Sequence, residues 1–156
     1  MTKAIYFDMD GTIANFYGVK NWLSMLENEN VYPYTHCKPL IESRKEFIYQ
    51  LKRLQEKGYI IGVISWGSMS ASKEYMKAIR EAKKAWLKKY FPLLKWDEIH
   101  IVKYGTAKHL IPKVRGGILF DDNLEIRKKW NKYGERNNCC GFAYDEKHIL
   151  EHLRSL

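Results

Sequence analysis

Four short apolar runs, each closing on polar residues, constrain the fold of this chain more than any other feature. Ala4 to Asp8 (AIYFD), Tyr59 to Ser65 (YIIGVIS), Glu98 to Val102 (EIHIV) and Gly117 to Asp121 (GILFD) are rich in β-branched and aromatic residues. They read as buried strands. Helical periodicity lies between them. Ile41 to Lys57 ends at Gly58, and Ser72 to Tyr90 places Tyr75, Ile79, Ala82, Trp86 and Tyr90 at spacings of three and four before Pro92. Alternating strand and helix predicts a parallel sheet, because parallel neighbours need a crossover between them. A fifth strand, Gly141 to Tyr144, follows a helix from Leu124 to Tyr133, and Glu146 to Leu153 forms a last helix. The expected fold class is α/β: a Rossmann-like, doubly wound, mainly parallel five-stranded sheet.

With 156 residues there is material for one core, so 1–156 reads as a single domain. The longest apolar runs, such as Ile60 to Ile64, are far too short to cross a bilayer, and Met-Thr-Lys leads straight into the first strand. No membrane partner or secretion is expected. Cys37, Cys139 and Cys140 cannot all pair, which suits a reducing cytoplasm. Lys and Arg number 27 against 18 Asp and Glu, a net charge of +9 that attracts phosphate esters and nucleic acid alike.

Ligands of such sheets bind beyond the carboxyl ends of the strands. Those ends carry Asp8 and Asp10 with Gly11 and Thr12, then Ser65, then Lys103 and Lys108, then Asp121 and Asp122. Four distant segments thus deliver carboxylates, a hydroxyl and an ammonium to one edge. In order and placement the set resembles the haloacid dehalogenase superfamily: DMDGT is similar to its first motif, Ser65 in VIS to its second, a lysine to its third and ILFDDN to its fourth.

That resemblance implies a phosphatase. A phosphate monoester repels nucleophiles, so attack by the Asp8 carboxylate needs a divalent cation and positive groups around the phosphoryl oxygens. Oxygen ligands in small number suit Mg²⁺, which the resemblance places on Asp8, the backbone carbonyl of Asp10, and Asp122, with Asp121 behind them or bridged by water. Glu125 is near but out of step. Asp10, two residues past the nucleophile, is the expected proton donor to the leaving alkoxide and later the base for water; its presence argues against dehalogenation. Gly11 lets backbone N–H groups approach the phosphoryl oxygens, with the Ser65 and Thr12 hydroxyls as further donors and Trp66 lining the pocket. The charge-balancing lysine is Lys108, with Lys103 as its rival.

Residues 13–40 carry Phe16, Tyr17, Trp22, Tyr32, Tyr34 and His36 around a short helix at Asn21 to Glu29. In the superfamily an insertion here forms a helical cap, and this one is small. AWLKKYF, IHIVKYGTAKH and ILFDDN are similar to the 5′(3′)-deoxyribonucleotidase type, whose cap aromatics would stack on a nucleobase. The expected substrate is therefore a small phosphate ester such as a nucleotide. A phosphatase of nucleic-acid ends and a non-catalytic phosphate- or nucleic-acid-binding domain are the alternatives. Arg80, Lys83, Lys84, Lys88 and Lys89 read as a solvated helix face, and His36, His100 and His109 lack the spacing of a metal site.

Overall fold

The computed structural model describes residues 2–156. Among these, β1 (Ala4–Phe7), β2 (Ile60–Trp66), β3 (Glu98–Val102), β4 (Gly117–Phe120) and β5 (Gly141–Tyr144) form one sheet in the order β3-β2-β1-β4-β5. Every pairing is parallel. The central strands β1, β2 and β4 are buried on both faces, which is why their sequences are continuous apolar runs rather than alternating ones, whereas the edge strand β5 is only partly buried.

Six α-helices accompany them among the described residues: α1 (Trp22–Glu27), α2 (Tyr32–His36), α3 (Arg44–Glu56), α4 (Lys73–Tyr90), α5 (Leu124–Arg136) and α6 (Ile149–Ser155). Right-handed crossovers fix their sides. The steps from β1 to β2 to β3 run one way, so α3 and α4 share a face, with Ile5, Phe7, Ile61, Val63, Ile118 and Phe120 beneath them and α6. The step from β4 to β5 runs the other way, and Ile126 and Trp130 of α5 cover Ala4, Tyr6, Ile64 and Leu119 on the opposite face. The sheet is doubly wound. Strand order reverses between β1 and β4, which sets the crevice at their carboxyl ends.

Helix starts follow local chemistry. Ser43, Ser72 and Asn123 each accept a backbone N–H of the first turn of α3, α4 and α5. The Ser43 cap starts α3 at Arg44, three residues later than its apolar periodicity indicated. Residues 13–40 leave and rejoin the sheet through a narrow neck, where the Asn15 N–H donates to the Lys38 carbonyl (2.7 Å) and the Leu40 N–H to the Ile13 carbonyl (2.8 Å). Beyond the neck lie α1 and also α2, which was not expected; Pro33 in its first turn presets a helical φ. No helix among the described residues is long and apolar enough to cross a membrane.

Candidate active site

Asp8 and Asp121 each stand one residue past a strand, and the strands are adjacent and in register. Phe7 pairs with Phe120, and the Asp8 N–H donates to the Phe120 carbonyl (2.9 Å). The two acids therefore meet by backbone geometry alone. Lys108 enters between them from a short 3₁₀ turn, Lys108–Leu110. Its Nζ lies 2.7 Å from Asp8 Oδ1 and 2.7 Å from Asp121 Oδ2, and its side chain is only 2% exposed. Lys103 is exposed and only its carbonyl is engaged, by Thr106. Of the two candidate lysines, the fold brings Lys108 to the carboxylates.

Asp122 completes a group of three carboxylates: Asp8, Asp121 and Asp122 each offer an oxygen within 4.8 Å of the others. Thr12 stitches them together, its hydroxyl donating toward Asp8 Oδ2 (3.3 Å) and Asp122 Oδ1 (3.5 Å) while accepting from the Asp122 N–H (3.2 Å). Asp121 is tied at both oxygens, by Lys108 and by the Asn123 N–H (2.9 Å). Asp122 is the less committed member. Glu125 instead pairs with Lys128 on the surface (3.0 Å).

Gly11 serves this cluster in a way its sequence context did not indicate. Its φ is +83°, and a Cβ there would run into the Asp122 carboxylate and stand 2.8 Å from a ring carbon of Tyr17. Its own N–H is used by the Ala14 carbonyl (2.9 Å), and that of Thr12 by Met9 (3.1 Å). The amides of Met9 and Asp10 donate to no protein acceptor among the described residues. Those two, rather than Gly11 and Thr12, are left for an anion.

The electrostatics follow from burial. Asp122 is pushed up to about 7 by burial, then by Asp8 and Asp121. Burial and Asp8 raise Asp121 to about 6, against the pull of Lys108. Burial alone would depress the Lys108 ammonium, but Asp8 and Asp121 outweigh it and hold it above the ordinary lysine value. Three acids facing one ammonium leave surplus negative charge. Three convergent oxygen donors with that surplus fit a hard divalent cation.

Asp10 points elsewhere. Its Oδ2 is bound by Lys83 Nζ (2.7 Å), and burial raises its carboxyl while Lys83 opposes the rise. Ser65 is fully buried, and its Oγ also accepts from Lys83 Nζ (2.7 Å). Trp66 lines the cleft, but its indole N–H is spent on the Thr106 carbonyl (2.9 Å).

Lys83 corrects the reading of its helix as solvated on that side. The residue is 1% exposed. A signal was present in the sequence: Lys83 falls four residues after Ile79 and three before Trp86, in phase with the apolar stripe, whereas Lys84, Lys88 and Lys89 lie off it.

A cleft of about 360 Å³ opens above these groups. One end holds Asp8, Asp10, Lys108, Asp121 and Asp122; the walls are Tyr17, Trp22, Leu23 and Leu26 from residues 13–40, facing Trp66, Met69 and Tyr104. The insertion's aromatics divide in two. Phe16 and Tyr34 are buried against each other (4.7 Å between centroids), while half-exposed Tyr17 packs edge-on to Trp22 at the cleft (5.0 Å). Tyr32 stacks on His36 away from it (3.8 Å).

No protein-family model matches this chain, and no curated protein does. Among solved structures, the HAD domain of effector protein Lem4 from Legionella pneumophila aligns with a TM-score of 0.44 at 15% identity, over 92% of this chain and 84% of that one. So distant a likeness assigns neither activity nor substrate.

Proposed function

We propose that this chain is a haloacid dehalogenase-type phosphatase that hydrolyses phosphate monoesters through a phospho-aspartyl intermediate on Asp8, with Mg²⁺. The observation that carries the proposal is the placement of Lys108. Its ammonium has three donors, of which two go to Asp8 and Asp121, leaving one for a phosphoryl oxygen.

Asp8 and Asp122, with Asp121 in support, would hold a Mg²⁺, which would supply positive charge to the phosphoryl oxygens. Lys108 adds the second positive group, and the amides of Met9 and Asp10 can donate to the same oxygens. Asp8 Oδ attacks phosphorus; the bond to the leaving oxygen breaks, and that oxygen takes its electron pair and a proton from Asp10. Asp10, now ionised, accepts a proton from water as the water attacks phosphorus. The acyl phosphate then breaks to restore Asp8 and release inorganic phosphate. The raised carboxyl of Asp10 suits a group that starts protonated.

The substrate is a small ester with a flat, largely uncharged leaving group, and a nucleoside monophosphate fits that description. Tyr17, Trp22, Trp66 and Tyr104 offer aromatic faces along the cleft. A phosphate-release screen with Mg²⁺ over nucleoside 3′- and 5′-monophosphates, sugar phosphates and phosphorylated oligonucleotides tests the reading. Turnover concentrated in mononucleotides and abolished by Asp8→Asn is expected. Unchanged turnover in that variant refutes the mechanism, and a preference for sugar phosphates refutes the substrate class.

A further inference from the structure

Lys83 is buried beside the cleft at 1% exposure, and the chemistry proposed above does not use it. It projects from the middle of α4, and all three of its N–H donors are taken: by Asp10 Oδ2 (2.7 Å), Ser65 Oγ (2.7 Å) and the Trp66 carbonyl (2.8 Å). An ammonium has only three donors. Lys83 is therefore saturated, and at 1% exposure it has no proton to offer a phosphoryl oxygen. Lys108 keeps one.

Both Ser65 and the Trp66 carbonyl belong to β2, so two of the three bonds fasten the ammonium to the sheet. The third reaches a side chain that borders the cleft and is 19% exposed. Asp10 Oδ1 has no protein donor among the described residues. One oxygen of Asp10 is thus clamped and the other is left to face the cleft. The clamp also decides which way the carboxylate turns. Asp10 follows Asp8 by two residues, yet the carboxylates that converge are those of Asp8, Asp121 and Asp122. A fourth acid turned into that group would add to its repulsion or occupy a cation position.

A buried ion pair is by itself a weak source of stability, since the desolvation of both charges offsets their attraction. Orientation is the function this one serves. Given the phosphatase reading on which it rests, we infer that Lys83 is a positioning residue that holds the Asp10 carboxyl toward the leaving-group side of the cleft and out of the cation cluster. The Tyr34 ring lies 5.1 Å from Lys83 Nζ, so the insertion packs against the same clamp.

The test compares Lys83→Met, Asp10→Asn and the double variant on two esters that differ in their need for an acid. Nucleoside 5′-monophosphate has an alkoxide leaving group that must be protonated; p-nitrophenyl phosphate does not require it. The ratio kcat/KM reports steps up to leaving-group departure. Lys83→Met is expected to lower it on the order of 100-fold for the nucleotide and less than about tenfold for the aryl ester, the scale of a general acid's contribution. Asp10→Asn should show the same pattern, and adding Lys83→Met to it should cost little more, because the two act through one group. Lys83→Gln retains a donor, keeps a polar partner for Ser65 if the Met variant folds poorly, and is expected to fall between. Equal losses on both esters, or losses that multiply in the double variant, overturn the inference while the phosphatase reading stands. Absence of Mg²⁺-dependent turnover of either ester by the wild-type chain overturns that reading and the inference with it.

Discussion

Replacing Lys108 with Met keeps length and packing but removes the only ammonium paired with Asp8 and Asp121 among the described residues. Lys108, Asp8 and Asp121 are 3%, 6% and 1% exposed, so solvent screens little of the change. Breaking a buried pair from one side costs about 3–5 kcal/mol, and that cost should appear in the urea unfolding of the metal-free protein at pH 8. It should shrink at pH 5. Asp121 already titrates near 6 with Lys108 beside it, and without that neighbour its proton is held more tightly. At pH 5 the variant therefore buries a neutral acid in place of an unpaired carboxylate. The same loss of positive charge should tighten Mg²⁺ binding at pH 8, measured by calorimetric titration, while phosphate release collapses. Stability and cation affinity thus move in opposite directions. Equal destabilisation at both pH values, or weaker Mg²⁺ binding, would refute the charge balance assigned to this cluster.

Further outcomes follow from the same geometry. With Asp122 held near 7, a cation must displace its proton at lower pH, so apparent Mg²⁺ affinity should fall about tenfold from pH 8 to pH 6; a flat profile would contradict the assignment of Asp122 as ligand. Asp121 and Asp122 bind protons more tightly in the folded chain (about 6 and about 7) than in the unfolded chain, where an aspartate titrates at about 4. The metal-free protein should consequently lose stability as pH rises from about 4 through about 7, seen as a falling urea midpoint. Gly11→Ala sets a Cβ against the Asp122 carboxylate at φ +83°; it should cost about 1–2 kcal/mol of backbone strain and weaken Mg²⁺ binding, and an unchanged titration would exclude the close approach. Phe47 is fully buried with ring centroids 5.2 Å from both Phe7 and Phe91; Phe47→Ala should destabilise by about 3–5 kcal/mol and leave cation affinity in the folded protein unchanged.

Apolar runs flanked by polar ends were enough to place all five strands to within a residue at each end, two of them without error, because a strand buried inside the sheet has little compositional freedom. The acidic strand ends were legible for the same reason: Asp8 and Asp121 meet through backbone register, which short β segments encode locally. The lysines were harder. Gly105-Thr106-Ala107 leads into a short helix near the sheet edge, which favours Lys108 over Lys103, and the 3₁₀ turn Lys108–Leu110 is what brings its ammonium inward. Lys83 was hidden by its charged neighbours, since Lys84, Lys88 and Lys89 make a solvated face look continuous, and only its phase relative to Ile79 and Trp86 sets it apart. Gly11 reads as giving backbone N–H groups room to approach a phosphate, but the reason no side chain fits there lies 111 positions away in sequence, at Asp122. The different burial of Phe16 and Tyr17, one packed in the core and one half-exposed at the cleft, depends on how the insertion closes on its neck and not on composition.

Phosphorylation of Asp8 during turnover can be caught by trapping the phospho-aspartyl species. The wild-type chain would be mixed with Mg²⁺ and a rapidly cleaved aryl phosphate, quenched in acid within the first turnovers, digested, and analysed by mass spectrometry, with Asp8→Asn treated in parallel. One phosphoryl group is expected on the peptide holding Asp8, lost on exposure to base or hydroxylamine and missing from the variant. Phosphate release with no modified aspartate, or the same modification in Asp8→Asn, would contradict it.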